Sequence, residues 1–115
     1  MPAGPSLAAG TTLRGSAPIF GALGDLTRLR IVSRLCAQGP MSVTKITSTA
    51  GVTRQAVAKH LRVLERAGLV RSTRRGRSRI CQLELPRLNL ARRDLELISN
   101  QWDQTLARLK RLVEE

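Results

Sequence analysis

Residues 53–79, TRQAVAKHLRVLERAGLVRSTRRGRSR, are the stretch from which the rest of the chain can be read. Its first half has helical spacing: Val57, Leu61 and Leu64 stand at i, i+4 and i+7 and make one apolar stripe. Thr53 precedes the stripe as an N-cap whose hydroxyl can accept from an N–H of the first turn. Gly68 stands where a helix ends on a left-handed residue. The polar face carries Arg54, Gln55, Lys59, Arg62 and Arg66. From Leu69 to Leu85 two short runs flank Arg75-Gly76, which predicts a hairpin with glycine supplying positive φ at the turn.

Charge is concentrated in the same stretch. Arg54, Lys59, Arg62, Arg66, Arg71, Arg74, Arg75, Arg77 and Arg79 are opposed only by Glu65, so these residues carry +8 of the chain's net +12. Self-repulsion of this kind costs stability and serves no folding purpose, so a polyanionic partner is its simplest explanation. A helix with a polar, exposed first turn followed by a basic hairpin is the layout of a winged helix-turn-helix. The fold class expected is therefore mainly α with a β-hairpin wing.

The 115 residues suffice for one domain with a modest core, and the 42% hydrophobic content is ordinary for a folding chain. Phe20 and Trp102 are the whole aromatic complement, which argues against stacking platforms for single strands and favours duplex DNA. Cys36 and Cys81 make no disulfide framework. No run approaches the ~20 apolar residues of a membrane span, and no signal peptide is legible, so a cytoplasmic, nucleoid-associated protein is expected. There is no Gly-rich phosphate loop, acid pair or nucleophile–base constellation, so neither an enzyme nor a cofactor is expected.

Residues 1–16, rich in Pro, Gly, Ala, Ser and Thr, read as a flexible tail. A short helix is expected over Pro18–Leu23, with Ile19, Phe20 and Leu23 on its apolar side. Asp25 caps the next helix, which runs through Leu26, Leu29, Ile31, Val32 and Leu35 to Gly39-Pro40. Ser42 caps a third, with Val43, Ile46 and Ala50 facing inward, and Gly51 makes the turn into the recognition helix. Pro86 closes the second strand of the hairpin. From Asn89 a terminal helix carries an apolar seam of Leu95, Ile98, Trp102, Leu106, Leu109 and Val113. Its charges cancel, and Arg92–Glu96, Lys110–Glu114 and Arg111–Glu115 can pair at i, i+4. The chain thus divides into a tail (1–16), a DNA-binding domain (17–86) and a dimerisation helix (87–115), the seam being longer than so small a domain can cover by itself.

From Phe20 to about Val113 the chain resembles the ArsR/SmtB family of bacterial transcriptional repressors. The resemblance is carried by FGALGDLTRLRIVSRL (20–35), GVTRQAVAKHLRVLERAGLV (51–70) and RRGRSRICQLEL (74–85). The second segment follows the family's Ser/Thr-Gln…His-Leu-x-x-Leu-x-x-x-Gly-Leu-Val pattern, offset by Arg54 between Thr53 and Gln55. The end, Trp102 with LARLKRLVEE, resembles the subgroup without an obvious metal site. The resemblance implies a winged-helix homodimer whose outer helices form the interface, which adds Ile19 and Phe20 to the terminal seam. It also implies a recognition helix in each major groove and repression of a promoter, often the protein's own.

Residue type assigns roles at DNA. Gln55 suits adenine and Arg54 suits guanine, with Thr53 and Lys59 beside them. Ser42, Thr44 and Lys45 can reach phosphates, and Arg74, Arg75, Arg77 and Arg79 lay the wing on a backbone or in the minor groove. Arg62 is a further candidate, Arg66 lies on the same polar face, and a dimer would read a pseudo-palindrome. His60, the one histidine, has no partners at metal-ligand spacing, so a core or phosphate-contacting role is expected. The segment SVTKITSTAG (42–51) lacks the Cys-x-Cys of metal-sensing relatives, and no metal is expected. Cys36 reads as a small buried hydrophobe and Cys81 as partly exposed in the wing; a thiol- or metal-responsive sensor using these two is one alternative. Others are a protein-interaction module docking through the terminal helix and a nonspecific architectural binder.

Overall fold

The computed structural model describes residues 3–114, with side chains from residue 13 onward. The elements are α1 (Ala3–Leu23), α2 (Leu26–Gln38), β1 (Met41–Ser42), α3 (Val43–Ala50), α4 (Arg54–Arg66), β2 (Val70–Arg75), β3 (Ser78–Leu83) and α5 (Leu85–Glu114). The strands form one antiparallel sheet in the order β1-β3-β2. Among the described residues no helix is long and apolar enough to cross a membrane.

The helix boundaries follow side-chain chemistry. Asp25 accepts from the Arg28 amide at 3.0 Å, and that bond holds its carboxyl below the usual carboxylate range. Ser42 accepts from the Lys45 amide and Thr53 from the Ala56 amide, each at 3.1 Å. Gly51 (φ 72°) takes the left-handed turn between α3 and α4. Helix α4 ends in a Schellman motif: the Leu69 amide bonds the Leu64 carbonyl and the Gly68 amide the Glu65 carbonyl, both at 2.9 Å, with Gly68 at φ 76°. Val57, Leu64 and Leu69 are wholly buried there, each burial being worth ~1.5–3 kcal/mol. Around them pack Ile31, Val32 and Leu35 of α2, Val43 and Ile46 of α3, Leu61 of α4, and Ile19 and Ala22 of α1.

Several expectations are corrected. Residues 3–16 belong to α1 rather than to a flexible tail, and Pro18 lies inside that helix rather than at its start; residues 1 and 2 lie outside the described part. An interior proline costs ~3 kcal/mol, which packing against α5 offsets. Ser16 and Asp94 are both buried there, with the Ser16 hydroxyl donating to the Asp94 carboxylate, and a Cβ on Gly15 would sit 3.6 Å from Leu90 Cδ2. Ile19 belongs to this chain's own core and has no surface to offer a partner, while Phe20 is half-buried against the same core.

The strand β1, read from sequence only as a cap, pairs Met41 with Cys81 and makes β3 the central strand. Cys81 is consequently buried, not partly exposed, and burial pushes its thiol pKa up. Cys36, expected inside, is exposed in the last turns of α2, where no neighbouring element covers it. The hairpin turn is Gly76-Arg77, one residue beyond the expected pair, with Arg75 opposite Ser78. Pro86 does not close a strand: α5 begins at Leu85 and Pro86 occupies its first turn, where the missing N–H costs nothing. Of the three expected pairs on α5, Arg92–Glu96 forms at 2.6 Å, Lys110 and Glu114 form no ion pair, and Glu115 lies outside the described residues.

The chain extends 65 × 28 × 21 Å with a radius of gyration of 18.4 Å. A compact domain of this length has about 13 Å. The difference comes from α5. Its N-terminal part packs on α1 through the buried Ala91 and Asp94, and the rest projects.

Candidate nucleic-acid interface

The buried stripe Val57–Leu61–Leu64 fixes the rotation of α4 about its axis, and the remaining face follows from that. Arg54, Gln55, Lys59, Arg62 and Arg66 are all exposed. Thr53 is also exposed, but its oxygen is committed to the cap, so the hydroxyl hydrogen is what it can still give. Ser42 is in the same condition and half-buried, whereas Thr44 and Lys45 on α3 are exposed.

Arg54 does not stand free at the tip of α4. Its Nη1 lies 3.4 Å from Thr44 Oγ1, a long hydrogen bond that ties the first turn of α4 back to α3. Arg54 and Arg62 then line, with Arg79 of β3, a cleft of about 410 Å³ between α4 and the hairpin. Glu65 and Ser72 lie in the same wall, with the Ser72 hydroxyl donating to Glu65 at 2.5 Å. This bond holds the end of α4 to β2. Arg71 is spent on Glu84, its Nε 3.1 Å from the carboxylate.

The wing residues Arg74, Arg75, Arg77 and Arg79 are exposed, and Arg74 stands directly across from Arg79 in the ladder. Like charges facing each other across strands are destabilising. Among the described residues the ion pairs are His60–Asp25, Arg71–Glu84 and Arg92–Glu96. Among the described residues, Arg54, Lys59, Arg62, Arg66 and these four wing arginines therefore form no ion pair, and Glu65, the carboxylate in the cleft wall, accepts from Ser72 instead. The surface is preorganised for an external anion.

His60 is corrected. It sits half-buried on the α2 side of α4, its Nδ1 3.2 Å from Arg28 Nη1 and 3.9 Å from Asp25 Oδ1. Only the shorter distance is a hydrogen bond, so Nδ1 accepts from Arg28 and the ring is engaged inside the chain rather than aimed at phosphate. Arg28 also donates through Nε to the Ala22 carbonyl at 2.5 Å, joining α1, α2 and α4. Sequence reasoning missed this node because its members are 32 residues apart. It also missed Arg87, which donates to the Ala67 carbonyl at 3.2 Å and packs over Gly68. No local signal pointed to either.

The terminal seam is placed as expected on one helix. Leu95, Ile98, Trp102, Leu106, Leu109 and Val113 are all exposed, Trp102 by 62%, and Leu112 joins them. No group of three or more His, Cys, Asp and Glu able to hold a metal occurs among the described residues.

Residues 23–73 match a family model described as a helix-turn-helix domain. The HTH-type transcriptional regulator Rv2034 of Mycobacterium tuberculosis is 36% identical over 104 residues, covering 90% of this chain and 94% of that one. Among solved structures, an ArsR-like transcriptional regulator from Rhodococcus sp. RHA1 superposes with a TM-score of 0.72 at 36% identity, over 89% of this chain and 95% of that one. The homodimeric winged helix-turn-helix DNA-binding domain Mb0332 of Mycobacterium bovis shares the fold, with a TM-score of 0.63 at 24% identity over 80% of this chain and 84% of that one.

Proposed function

We infer the function of this chain from the ArsR family of winged helix-turn-helix transcriptional regulators, to which it belongs. It is a DNA-binding regulator and not an enzyme. The finer reading is a homodimeric repressor that recognises a pseudo-palindromic duplex, its own promoter included. The observation that carries it is the exposed basic face of α4 together with the wing, whose Arg79 shares one cleft with Arg54 and Arg62 of α4. In this reading Gln55 and Lys59 face base edges, Arg54 and Arg62 line the groove wall, and Thr44, Lys45 and the wing arginines take phosphates.

Dimerisation through α5 is supported by its exposed stripe. Residues 95–114 span ~30 Å of helix at 1.5 Å per residue, with a row of large apolar side chains and no cover from the chain itself. The homodimeric Mb0332 has the same fold. Residues 17–86 would then bind DNA and 87–115 would hold the dimer. A thiol-sensing reading draws no support from Cys81, since a buried thiol with a raised pKa supplies little thiolate.

The test is fluorescence anisotropy on the chain's own upstream DNA and on a scrambled duplex across a salt series. A steep salt slope with a preference of ~10³ or more for the upstream site is expected. Equal affinity for both duplexes would overturn sequence-specific autoregulation.

A further inference from the structure

We propose that the cleft between α2 and α3 is a binding site for a small organic carboxylate. The cleft holds about 240 Å³ and is separate from the DNA-reading surface described above. Ile31 of α2 and Ile46 and Ala50 of α3 give it an apolar floor, while Arg30, Arg34 and Thr49 supply polar groups around it. Its position is set by the helix register. Ile31 and Ile46 are buried where the two helices pack, so Arg30 and Arg34 fall at i and i+4 along one edge of that contact.

Two like charges at this spacing repel each other, and the fold supplies nothing to offset them. Neither α2 nor α3 contains an Asp or Glu. Among the described residues neither Arg30 nor Arg34 takes part in an ion pair or a side-chain hydrogen bond, in contrast to Arg28 on the same helix. Two unpartnered guanidinium forks beside an apolar floor fit a ligand with a planar anionic head and a short apolar body. The volume limits its size: at ~30 Å³ for each water-sized group, about eight such groups fit. A monocarboxylic acid with a branched or aromatic body has that size, and an inorganic anion leaves the floor unused.

The cleft also lies where occupancy can matter. Helix α3 carries Thr44 and Lys45 and leads through the Gly51 turn into α4, so a ligand bridging α2 and α3 biases how α4 is presented. This coupling rests on the DNA-binding reading; the binding itself does not.

The experiment uses the full chain, labelled with nitrogen-15, titrated with benzoate, benzamide and inorganic phosphate. Benzoate is expected to give saturable amide shifts at Ile31, Ile46 and Thr49, with benzamide and phosphate at least about tenfold weaker. Arg34→Ala should weaken benzoate by about tenfold at unchanged thermal midpoint, and Arg34→Lys by less. No saturable shift up to about 10 mM, or equal binding of benzamide or phosphate, overturns the proposal. So does a salt slope for DNA made shallower by about two in the Arg30→Ala/Arg34→Ala double variant, because that assigns both arginines to the DNA backbone. If the wild-type chain fails to bind its upstream DNA while benzoate still binds, the failure belongs to the autoregulatory reading and the carboxylate site stands.

Discussion

The recognition half of the molecule and its terminal helix leave opposite kinds of surface uncovered. From Thr53 to Arg79 the apolar residues are inside and what remains outside is positive charge, of which Arg71 alone has a carboxylate partner among the described residues. From Leu95 to Val113 the charges of the helix nearly balance and what remains outside is a row of leucines with Ile98, Trp102 and Val113. The first surface is costly because of Coulomb repulsion, which an anion relieves; the second is costly because apolar area faces water, which only another apolar surface relieves. One chain therefore calls for two partners of different chemistry, and the two should respond independently to mutation.

The largest effect should come from the terminal helix. Leu106→Asp puts a charge into the middle of the seam, and in a dimer it would be desolvated without a partner. The dimer dissociation constant is expected to rise by about a thousandfold or more, roughly 4 kcal/mol, as read by sedimentation velocity. The thermal midpoint should lose its dependence on protein concentration. A variant that stays dimeric would break the contrast by showing that the seam serves some other purpose.

Neutralising the wing should come next. Arg74→Ala/Arg75→Ala/Arg77→Ala is expected to weaken binding to specific and scrambled DNA alike, by about a hundredfold or more near physiological salt, and to flatten the salt slope by about three. The dimer constant should not move. Loss of affinity for the specific site alone would mean that the wing reads bases, and the division between positioning and reading would have to be redrawn.

How much of this contrast the sequence disclosed depends on the range of the interactions involved. Thr53, Ser42, Asp25, Gly51 and Gly68 act within a turn or two of themselves, and each sits where its own chemistry puts it. The stripe of α4 was legible because Val57, Leu61 and Leu64 repeat at the helical period. What escaped was long-range. Helix α1 runs through Pro18 because Ser16, Ile19 and Ala22 find partners elsewhere in the chain, and a segment with that many Gly, Thr and Pro residues gives no local sign of it. The two-residue strand β1 exists only through its pairing with β3, and missing it inverted the reading of Cys81. The candidate DNA residues were chosen by residue type and expected exposure, and two of them have tertiary partners that the sequence did not disclose. Arg54 reaches back to Thr44, and His60 is bound to Arg28.

A single-base effect is smaller again. Gln55→Ala removes an exposed amide from the first turn of α4 without touching the core, the seam or the net charge. Discrimination at one base position should fall by ~1–3 kcal/mol while the salt slope and the dimer constant stay as they are. Equal losses on specific and scrambled duplexes would refute base reading by this side chain.

The smallest expected effect is the most informative about how folding and binding share one residue. Thr53 caps α4 through Oγ1, which accepts from the Ala56 amide, and it is also exposed on the surface offered to DNA. Thr53→Ala loses the cap and should cost ~1 kcal/mol of stability in urea unfolding. Thr53→Asp keeps an acceptor at the cap and places a negative charge at the positive end of the helix dipole, so stability should be retained or slightly raised. The same carboxylate would face phosphate in a complex, so DNA affinity should drop by more than in Thr53→Ala. The two variants thus order oppositely on the two scales. If Thr53→Asp instead binds DNA as wild type does, the first turn of α4 does not approach the duplex, and the recognition surface must be sought nearer Lys59 and the wing.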